Sequence, residues 1–299
     1  MSTLVLGTVA LDTVKTPFGL RKQILGGSAV HFAMSARLFV PVNLVAIVGK
    51  DFPQQYIDFL NRKGVILTSL IRAEGKTFKW QGEYKEDMEV AYTLNTELGV
   101  LTGFRPCLTE QQKKMEYIFL ANIDPELQQH LLNHLYSPRM VALDSMNYWI
   151  EHKRKVLMRL LRDVDIYVAN EEEARALSGE LHLVKAAKRL RSLGPKMILI
   201  KRGQHGVLFY SDNFIFSIPA YPTEKIVDPT GAGDTFAGGF MGYLASKRRM
   251  DKIDLKRAVV YGAIAASFNV EDFGVNRTAK LTLKDLNDRL FKFKECVLF

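Results

Sequence analysis

Asp234 ends a short glycine-rich run, Asp228-Pro229-Thr230-Gly231-Ala232-Gly233-Asp234, which stands between an apolar, β-rich segment and an apolar helix-like segment. Two glycines at a strand-to-helix turn let backbone N–H groups converge on one point, because neither carries a Cβ that would block the approach. The start of the helix adds unpaired N–H groups and the positive end of its dipole, so the turn is predicted to bind an anion. Asp234 is placed to accept a proton from a hydroxyl that attacks this anion. The run therefore indicates phosphoryl transfer, with a tight connection and an N-cap as the structural alternative.

A second polar run, Asn170-Glu171-Glu172-Glu173, follows the strand-like residues Ile166–Val168 and begins a helix-like segment. Three acids in a first helical turn are favourable for the helix dipole alone, which is the structural interpretation. The functional interpretation is that Asn170 and Glu173, three positions apart, share one face of the helix. There they are suited to organise hydrated Mg²⁺, which uses one or two carboxylates and keeps several of its waters.

Nearer the N-terminus, Asp12 follows the first strand-like run, and Gly26-Gly27 begins the first long helix-like segment. A carboxylate that accepts hydrogen bonds from two neighbouring hydroxyls is a natural way to hold a ribose-like diol. The alternative for Asp12 is a loop residue that faces solvent. On the residues alone both interpretations stay open, a solvent-facing loop and a sugar-binding end of the site.

Strand-like and helix-like segments alternate over most of the chain, which predicts one domain, residues 1–299, built on a doubly wound, mostly parallel sheet sandwiched by helices. In such a sheet, ligands bind beyond the carboxyl ends of the strands. The predicted strands are Leu4–Leu6, Val42–Val48, Val65–Leu67, Tyr117–Leu120, Met140–Leu143, Ile166–Val168, Met197–Ile200 and Val207–Tyr210, and the main predicted helices are Ala29–Phe39, Phe52–Lys63, Thr235–Ala245 and Ala258–Ser267.

The segment Thr77–Leu101 breaks this alternation, because its apolar and polar residues alternate with the period of a strand. We interpret it as the main part of a β lid, an antiparallel hairpin whose apolar face carries Phe78, Trp80, Tyr92 and Leu94. Two strands alone bury too little surface to be stable. The hairpin is therefore expected to cover the site, to pair with a second copy of the chain, or both.

These features together resemble the ribokinase-like (PfkB) carbohydrate kinase family. The glycine-rich run is similar to the family's Asp-Thr-x-Gly-Ala-Gly-Asp, and Asn170 to Glu173 is similar to its Asn-x-x-Glu. The turn Lys201-Arg202-Gly203-Gln204-His205-Gly206 resembles the strand–turn–strand that borders the adenine nucleotide in the family. The resemblance implies an ATP- and Mg²⁺-dependent kinase with a small β lid, and it leaves open whether a monovalent cation also takes part.

The resemblance also implies a role for individual residues. It implies a base at Asp234 and an anion site at Gly231, Ala232 and Gly233. The residues expected to contact the cofactor are Asn170, Glu173, Lys201, Gly203, Gly206, Asp228, Thr230 and Asn269, with Mg²⁺ held by Glu173 through water. The residues expected to contact the substrate are Asp12, Gly26, Gly27, His31, Asn122 and Trp80.

Departures from the family pattern bear on the substrate. Pro229 replaces a threonine, Lys201 stands where many members have threonine, and Ser28 and His31 replace the lysine and asparagine of the ribokinase helix start. The run Asp144–Trp149 lacks the arginine that several sugar-phosphate kinases place nearby. We therefore favour a nucleoside, whose base Trp80 would stack against, over a free sugar such as ribose, fructose or a keto-deoxy sugar acid. A non-catalytic nucleotide-binding regulator is a further alternative.

Composition limits the partners. The net charge is +9, and basic clusters lie at residues 152–162 and 247–257 without interleaved aromatics, so we interpret them as solvated helix faces and expect no nucleic acid. No apolar run reaches the roughly 18 residues of a membrane span. Two cysteines are too few for a disulfide framework, and we expect a cytoplasmic protein that forms a homodimer through the lid.

Overall fold

The computed structural model describes residues 1–247 and 250–298. Arg248 and Arg249, part of the second basic cluster, lie outside the described residues. The strands are β1 (Thr3–Leu6), β2 (Ala10–Thr16), β3 (Gly19–Gly26), β4 (Val42–Gly49), β5 (Val65–Ala73), β6 (Lys79–Glu83), β7 (Tyr92–Glu97), β8 (Tyr117–Leu120), β9 (Met140–Asp144), β10 (Ile166–Asn170), β11 (Met197–Lys201), β12 (Val207–Ser211) and β13 (Ile215–Ile218). The helices are α1 (Ser28–Ala36), α2 (Gln54–Arg62), α3 (Glu110–Lys113), α4 (Pro125–Leu132), α5 (Asn147–His152), α6 (Arg154–Leu160), α7 (Glu171–Ser178), α8 (Leu183–Arg191), α9 (Ala232–Ala245), α10 (Lys252–Asn269) and α11 (Leu283–Val297).

Within the described residues, nine strands form one sheet in the order β13-β12-β11-β10-β9-β8-β1-β4-β5. The pairs from β5 to β11 are parallel, and β12 and β13 add an antiparallel edge. Successive residues of a strand point to opposite faces. Accordingly Val5, Phe119 and Val168 belong to one buried cluster and their neighbours to a second one on the other face. The predicted doubly wound, mostly parallel sheet between helices is confirmed.

Helix α9 lies in close contact with α1 and α10, because glycines on its faces let other backbones approach. A Cβ at Gly238 would come within 2.2 Å of the Phe32 carbonyl oxygen of α1, and one at Gly239 within 2.9 Å of the Tyr261 carbonyl oxygen of α10. Because protein interiors are packed to crystal-like density, these contacts fix the position of α9. The first turn of α9, with Asp234, is thereby held against the rest of the fold.

The glycine-rich run does not directly follow a strand as predicted. Val227 and Asp228 are irregular, and their N–H groups donate to the carbonyl of Val270, at the end of α10. The backbone hydrogen bonds of this approach are therefore made to the end of a helix, which a strand-like sequence pattern does not reveal.

A second, four-stranded sheet has the order β3-β2-β6-β7. It contains the predicted hairpin as β6 and β7, and it adds a hairpin of β2 and β3 that the sequence interpretation did not assign. Asp12 consequently lies within β2, opposite Ile24, and not in a loop. We call this sheet the lid.

The predicted common face of the hairpin is wrong. Trp80 is paired with Thr96, whereas Tyr92 is paired with Glu83, three residues further along β6. Because side chains alternate between faces, Trp80 and Tyr92 point to opposite sides of the lid. A bulge at Gln81 and Gly82 shifts the register and explains the difference.

The basic residues Lys153 and Arg154 make local contacts: Lys153 pairs with Asp124 and Glu126, and Arg154 donates to carbonyl groups at the end of α7. Among the described helices, none combines the length and hydropathy that crossing a bilayer requires.

Candidate active site

Asp228, which is fully buried, stabilises the shape of the glycine-rich turn. Its carboxylate accepts hydrogen bonds from the N–H of Thr230 and the N–H of Gly274, both at 2.9 Å. Gly231 has a φ of 74°, the left-handed conformation that glycine adopts at least cost, and α9 begins at the next residue. Asp228 therefore stabilises the shape of the turn through these two hydrogen bonds. The role predicted for it was a contact with a nucleotide.

Asp234 lies in the first turn of α9 and is half-buried. Burial raises its pKa to about 7, with a further contribution from the negative charge of Asp144 that Lys201 partly offsets. A general base is most effective when its pKa is near the working pH. A carboxylate with a pKa near 7 is suited to act as a general base, and this role of Asp234 stays a prediction.

Lys201, at the end of β11, forms an ion pair with Asp144, at the end of β9, at 2.8 Å. The two side chains are only 19% and 4% exposed. Burial alone would lower the pKa of Lys201, but Asp144 and Glu173 outweigh it and hold the pKa above its ordinary value. The lysine therefore stays charged, and sequence reasoning missed Asp144 as its partner.

The charged end of Lys201 lies against the glycine-rich turn. A Cβ built on Gly233 would be 2.9 Å from the Lys201 Nζ, so a side chain at this position would displace the ammonium group. The turn thus combines backbone N–H groups, a helix N-terminus and a fixed ammonium group, which together are suited to a polyphosphate anion.

Asn170 and Glu173 form a reciprocal N-cap of α7. The Asn170 side chain accepts from the Glu173 N–H at 2.8 Å, and the Glu173 carboxylate accepts from the Asn170 N–H at 2.7 Å. Burial raises the pKa of Glu173 to about 8; Lys201 opposes this shift and Asp144 adds to it. The pair therefore stabilises the helix start and also places an acid beside Lys201.

The acidic groups fit a hydrated cation better than a protein-built metal cage. No group of three or more His, Cys, Asp or Glu side chains in the described part of the chain is arranged to hold a metal ion. Asp144 and Asp234 nevertheless lie close enough to raise the pKa of Glu173, and Asp144 also raises the pKa of Asp234. Mg²⁺ is commonly bound in this way, through one or two carboxylates, waters and the phosphates of a substrate.

His31 and Asn269 also stabilise the glycine-rich turn. The Asn269 Nδ2 donates to the Thr230 carbonyl at 2.8 Å, so its Oδ1 faces the Thr235 hydroxyl at 2.9 Å and the His31 Nδ1 at 3.1 Å. Burial lowers the pKa of His31, so the ring is neutral with its proton on Nδ1. A Cβ on Gly231 would lie 2.3 Å from this ring. Both residues are buried and shape the turn, whereas the predicted roles were contacts with substrate and cofactor.

The predicted sugar-binding residues lie together at the start of α1. The Gly27 N–H helps to lower the pKa of Asp12, and a Cβ on Gly26 would come within 1.9 Å of the Asp12 Oδ2. Burial raises the pKa of Asp12 to about 7; the Gly27 N–H opposes this, and the charges of Asp228 and Asp234 add to it. Asp12 and Asp234 are therefore near enough to interact, as two ends of one site must be.

The lid contacts the glycine-rich turn and the turn between β11 and β12. The Thr230 hydroxyl donates to Tyr84 at 3.3 Å, and Gln204 donates to Glu89 of the loop between β6 and β7. Trp80 packs in a small apolar cluster with Val14, Tyr84, Val227 and Phe273. Trp80 thus packs where the lid meets the rest of the fold, and stacking on a base stays a prediction.

The remaining predicted site residues, Gly206, Gly203 and Asn122, differ in the contacts that they make. Gly206 has a φ of 88°, and a Cβ there would lie 2.0 Å from the Ile218 carbonyl oxygen, so it is required by the backbone. A Cβ at Gly203 would meet nothing within 4 Å. Asn122, just beyond β8, contacts Met146 and Trp149.

The sequence of this chain is similar to those of known kinases. Residues 8–281 match the family model described as pfkB family carbohydrate kinase. The chain is 34% identical over 263 residues to a cytidine kinase of Thermococcus kodakarensis, covering 85% of this chain and 94% of that protein. It is 28% identical over 261 residues to a nucleoside kinase of Methanothermobacter thermautotrophicus, covering 85% and 80%.

The fold is shared with solved structures. The nucleoside kinase structure of Methanocaldococcus jannaschii superposes with a TM-score of 0.78 at 22% identity, covering 98% of this chain and 99% of that one. A Ribokinase II structure from E. coli gives a TM-score of 0.80 at 20% identity, covering 97% and 99%. The resemblance predicted from the motifs is confirmed: this chain belongs to the pfkB family of carbohydrate kinases, and it is a phosphotransferase that acts on a sugar or a nucleoside.

Proposed function

We propose that the protein transfers the γ-phosphate of ATP, with Mg²⁺, to the hydroxymethyl group of a ribose moiety, and that its acceptor is a nucleoside. The observation that carries the proposal is the pairing of two groups at one helix start. Asp234 has a pKa raised to about 7, and the Lys201 ammonium lies against Gly233 beside it. A base and a fixed positive charge at one anion-binding turn are what in-line phosphoryl transfer needs.

The chain's own residues account for the positioning and the proton transfer. Asp12 accepts from the ribose hydroxyls and orients the hydroxymethyl group toward Asp234. As the substrate oxygen bonds to the γ-phosphorus and the bond to the bridging oxygen breaks, Asp234 takes the hydroxyl proton and ADP leaves. The N–H groups of the turn and the Lys201 ammonium stabilise the charge on the transferred group. Mg²⁺, when bound near Glu173, neutralises phosphate charge and helps to orient the nucleotide.

A nucleoside acceptor is favoured over a free sugar by two observations. Both sequence relatives described above are named for nucleosides, and one is named for cytidine. The helix start Gly26-Gly27-Ser28-Ala29-Val30-His31 also departs from that of ribokinases. A sugar kinase is the second candidate, supported by a ribokinase of Lactococcus lactis that is 23% identical over 317 residues.

The test is a panel of nucleosides and sugars, each incubated with ATP and Mg²⁺ and assayed by ADP release. We expect at least one ribonucleoside to exceed ribose and fructose in kcat/KM and to be phosphorylated on its 5′ hydroxymethyl group. The same assay in potassium and in tetramethylammonium buffers tests activation by a monovalent cation. If ribose or fructose is the best acceptor, the nucleoside proposal fails while the kinase assignment stands.

Replacing Asp12 by alanine is expected to raise KM for the ribonucleoside by about 30- to 150-fold, since hydrogen bonds to a charged group are worth about 2–3 kcal/mol. A 2′-deoxynucleoside should suffer a similar penalty in the unchanged protein and little further penalty in the variant. Lys15→Ala in the same strand, an exposed partner of Glu83, is the matched control. Equal losses for ribose and 2′-deoxyribose substrates in Asp12→Ala would contradict the diol contact.

Replacing Glu173 by glutamine is expected to raise the Mg²⁺ concentration for half-maximal rate. The amide can still accept from the Asn170 N–H, so the helix cap survives in part. A purely structural role would instead lower stability by about 0.3–1 kcal/mol without any change in metal dependence. Titrating Mg²⁺ against rate and measuring Tm for the same variant separates the two roles. Glu172→Gln, in the same helical turn, serves as the control.

We also propose a homodimer formed through β7, the outer strand of the lid. Tyr92 and Leu94 of this strand are 42% and 54% exposed, and an unpaired apolar edge strand tends to pair with another chain. Light scattering after size exclusion should give twice the chain mass, and Leu94→Lys should lower it toward that of one chain. A single-chain mass at all concentrations tested would refute this proposal.

A further inference from the structure

Asn122 and Trp149 form a polar contact beside the predicted sugar-binding end of the site. The Trp149 indole N–H donates to the Asn122 Oδ1 at 3.0 Å. The other end of the amide, Nδ2, lies 3.3 Å from the sulfur of Met146. Asn122 follows β8 and Trp149 lies in α5, so two elements at the carboxyl edge of the sheet meet here.

The indole fixes which end of the amide faces the site. An indole N–H can only donate, so the oxygen of Asn122 must face Trp149 and the NH₂ group must face away. A thioether sulfur is a weak acceptor, so Asn122 Nδ2 keeps the capacity for a stronger bond. Met146 is 37% exposed and unbranched, and such a side chain can move to admit a ligand. Asn122 is thus oriented as a hydrogen-bond donor.

Asn122 is linked to the start of α1, which also lies beside Asp12. The Ser28 hydroxyl donates to the backbone carbonyl of Asn122 at 3.0 Å, and the nearby Gly26 lies against the Asp12 carboxylate, since a Cβ there would come within 1.9 Å of the Asp12 Oδ2. Asp12 and Asn122 therefore flank the first residues of α1. A ribose whose hydroxyls are held by Asp12 would carry its base away from Asp234, toward the rim where Asn122 and Met146 lie.

We propose that Asn122 Nδ2 donates a hydrogen bond to a carbonyl oxygen of the nucleobase, and that Trp149 is the positioning residue that makes Asn122 a donor. The inference rests on the proposed nucleoside kinase function and adds a base specificity to it. Cytosine, uracil and hypoxanthine carry a carbonyl oxygen, whereas adenine does not. The protein then prefers cytidine, uridine or inosine to adenosine.

The test measures kcat/KM for cytidine, uridine, inosine and adenosine in the full-length protein and in two variants. Asn122→Asp replaces the donor by an acceptor of the same shape. It should lower kcat/KM for the preferred carbonyl nucleoside by about tenfold to a hundredfold, because the acceptor of the base is left without a partner. Adenosine, whose amino group can donate, should lose little or gain. Loss with cytidine and uridine assigns the pyrimidine carbonyl, and loss with inosine alone assigns the purine carbonyl.

Trp149→Phe tests the positioning role without altering any group that would touch the base. Without the indole N–H the amide can rotate, so the ratio of the preferred nucleoside to adenosine should fall by about fivefold or more. Tyr148→Phe, at the exposed neighbouring position, is the control and should leave the ratio unchanged. Tm values show whether each variant is folded.

The two failures are distinguishable. If the unchanged protein phosphorylates no nucleoside, the proposed function fails and this inference fails with it. If it phosphorylates nucleosides but uses adenosine as well as the others, or if neither variant changes the ratio, only the base specificity is overturned.

Discussion

Replacing Asp234 by asparagine will lower kcat at least about a hundredfold, the scale on which a general base contributes. The affinity for ATP should change little, because the backbone of the turn and the Lys201 ammonium remain. The measurement is turnover under saturating substrates, with ATP binding followed separately by calorimetry. Asp254→Asn, at a half-buried position in the first turn of α10, is a control. Near-normal turnover in a folded Asp234→Asn protein would remove Asp234 from the mechanism.

The pKa of Asp234 adds a pH dependence to this prediction. Burial raises the pKa from 3.8 to about 7, and the base acts only when it is ionised. The rate should therefore rise with pH and level off above about pH 8, as the fraction of ionised Asp234 approaches one. In Asp234→Asn the residual rate should lose this rise. A rate in the unchanged protein that is flat from pH 5.5 to 8 would contradict the assignment of the base.

The same shift has an effect on stability with a defined sign. Because folding raises the pKa of Asp234, the folded state holds a proton between pH 4 and 7 that the unfolded chain has released. The contribution to stability is therefore present below about pH 4 and is lost as the pH rises through 7. Asparagine removes this loss, so Asp234→Asn should gain in Tm relative to the unchanged protein at pH 8 more than at pH 5. Thermal unfolding at the two pH values checks this.

Local patterns predicted the frame of the molecule well. Each predicted strand of the large sheet is present, since continuous apolar runs indicate strands buried on both faces. The lid was predicted only in part. β3 carries Arg21, Lys22 and Gln23 in a row, with Gln23 at a φ of 51°, so neither an apolar alternation nor a regular backbone marks it as a strand. β3 is a strand because its backbone pairs with β2, not because its own sequence has a strand pattern.

Motifs predicted which residues meet at the site, but not how each is used. Asp228, His31 and Asn269 were assigned to ligands, yet all three are buried: Asp228 and Asn269 bond to Thr230 of the turn, and His31 bonds to Asn269. Spacing in a sequence does not say whether a polar side chain faces a ligand or a backbone group beneath it. The ion pair of Lys201 with Asp144, 57 positions away in sequence, depends on the neighbouring positions of β9, β10 and β11 in the sheet, which no local pattern contains.

That ion pair leads to the second large effect. Replacing Lys201 by methionine, which keeps most of the length of the side chain, should lower kcat by about a hundredfold to a thousandfold, as for the loss of a preorganised group that stabilises developing charge. The apparent affinity for ATP should fall by less, because the backbone N–H groups of the turn remain. Lys196→Met just before β11, an exposed partner of Asp165, is the matched control and should be near normal.

The catalytic role of Lys201 can be separated from its structural role with Asp144. Lys201→Met leaves a buried carboxylate without its partner, which typically costs about 3–5 kcal/mol when one member of a buried pair is removed. Adding Asp144→Asn removes the unpaired charge, so the double variant should regain much of the stability that the single variant lost. It should not regain activity, because the positive charge beside Gly233 is still absent. If the double variant recovers both Tm and kcat, Lys201 serves only to neutralise Asp144, and the ammonium group has no part in stabilising the transferred phosphoryl group.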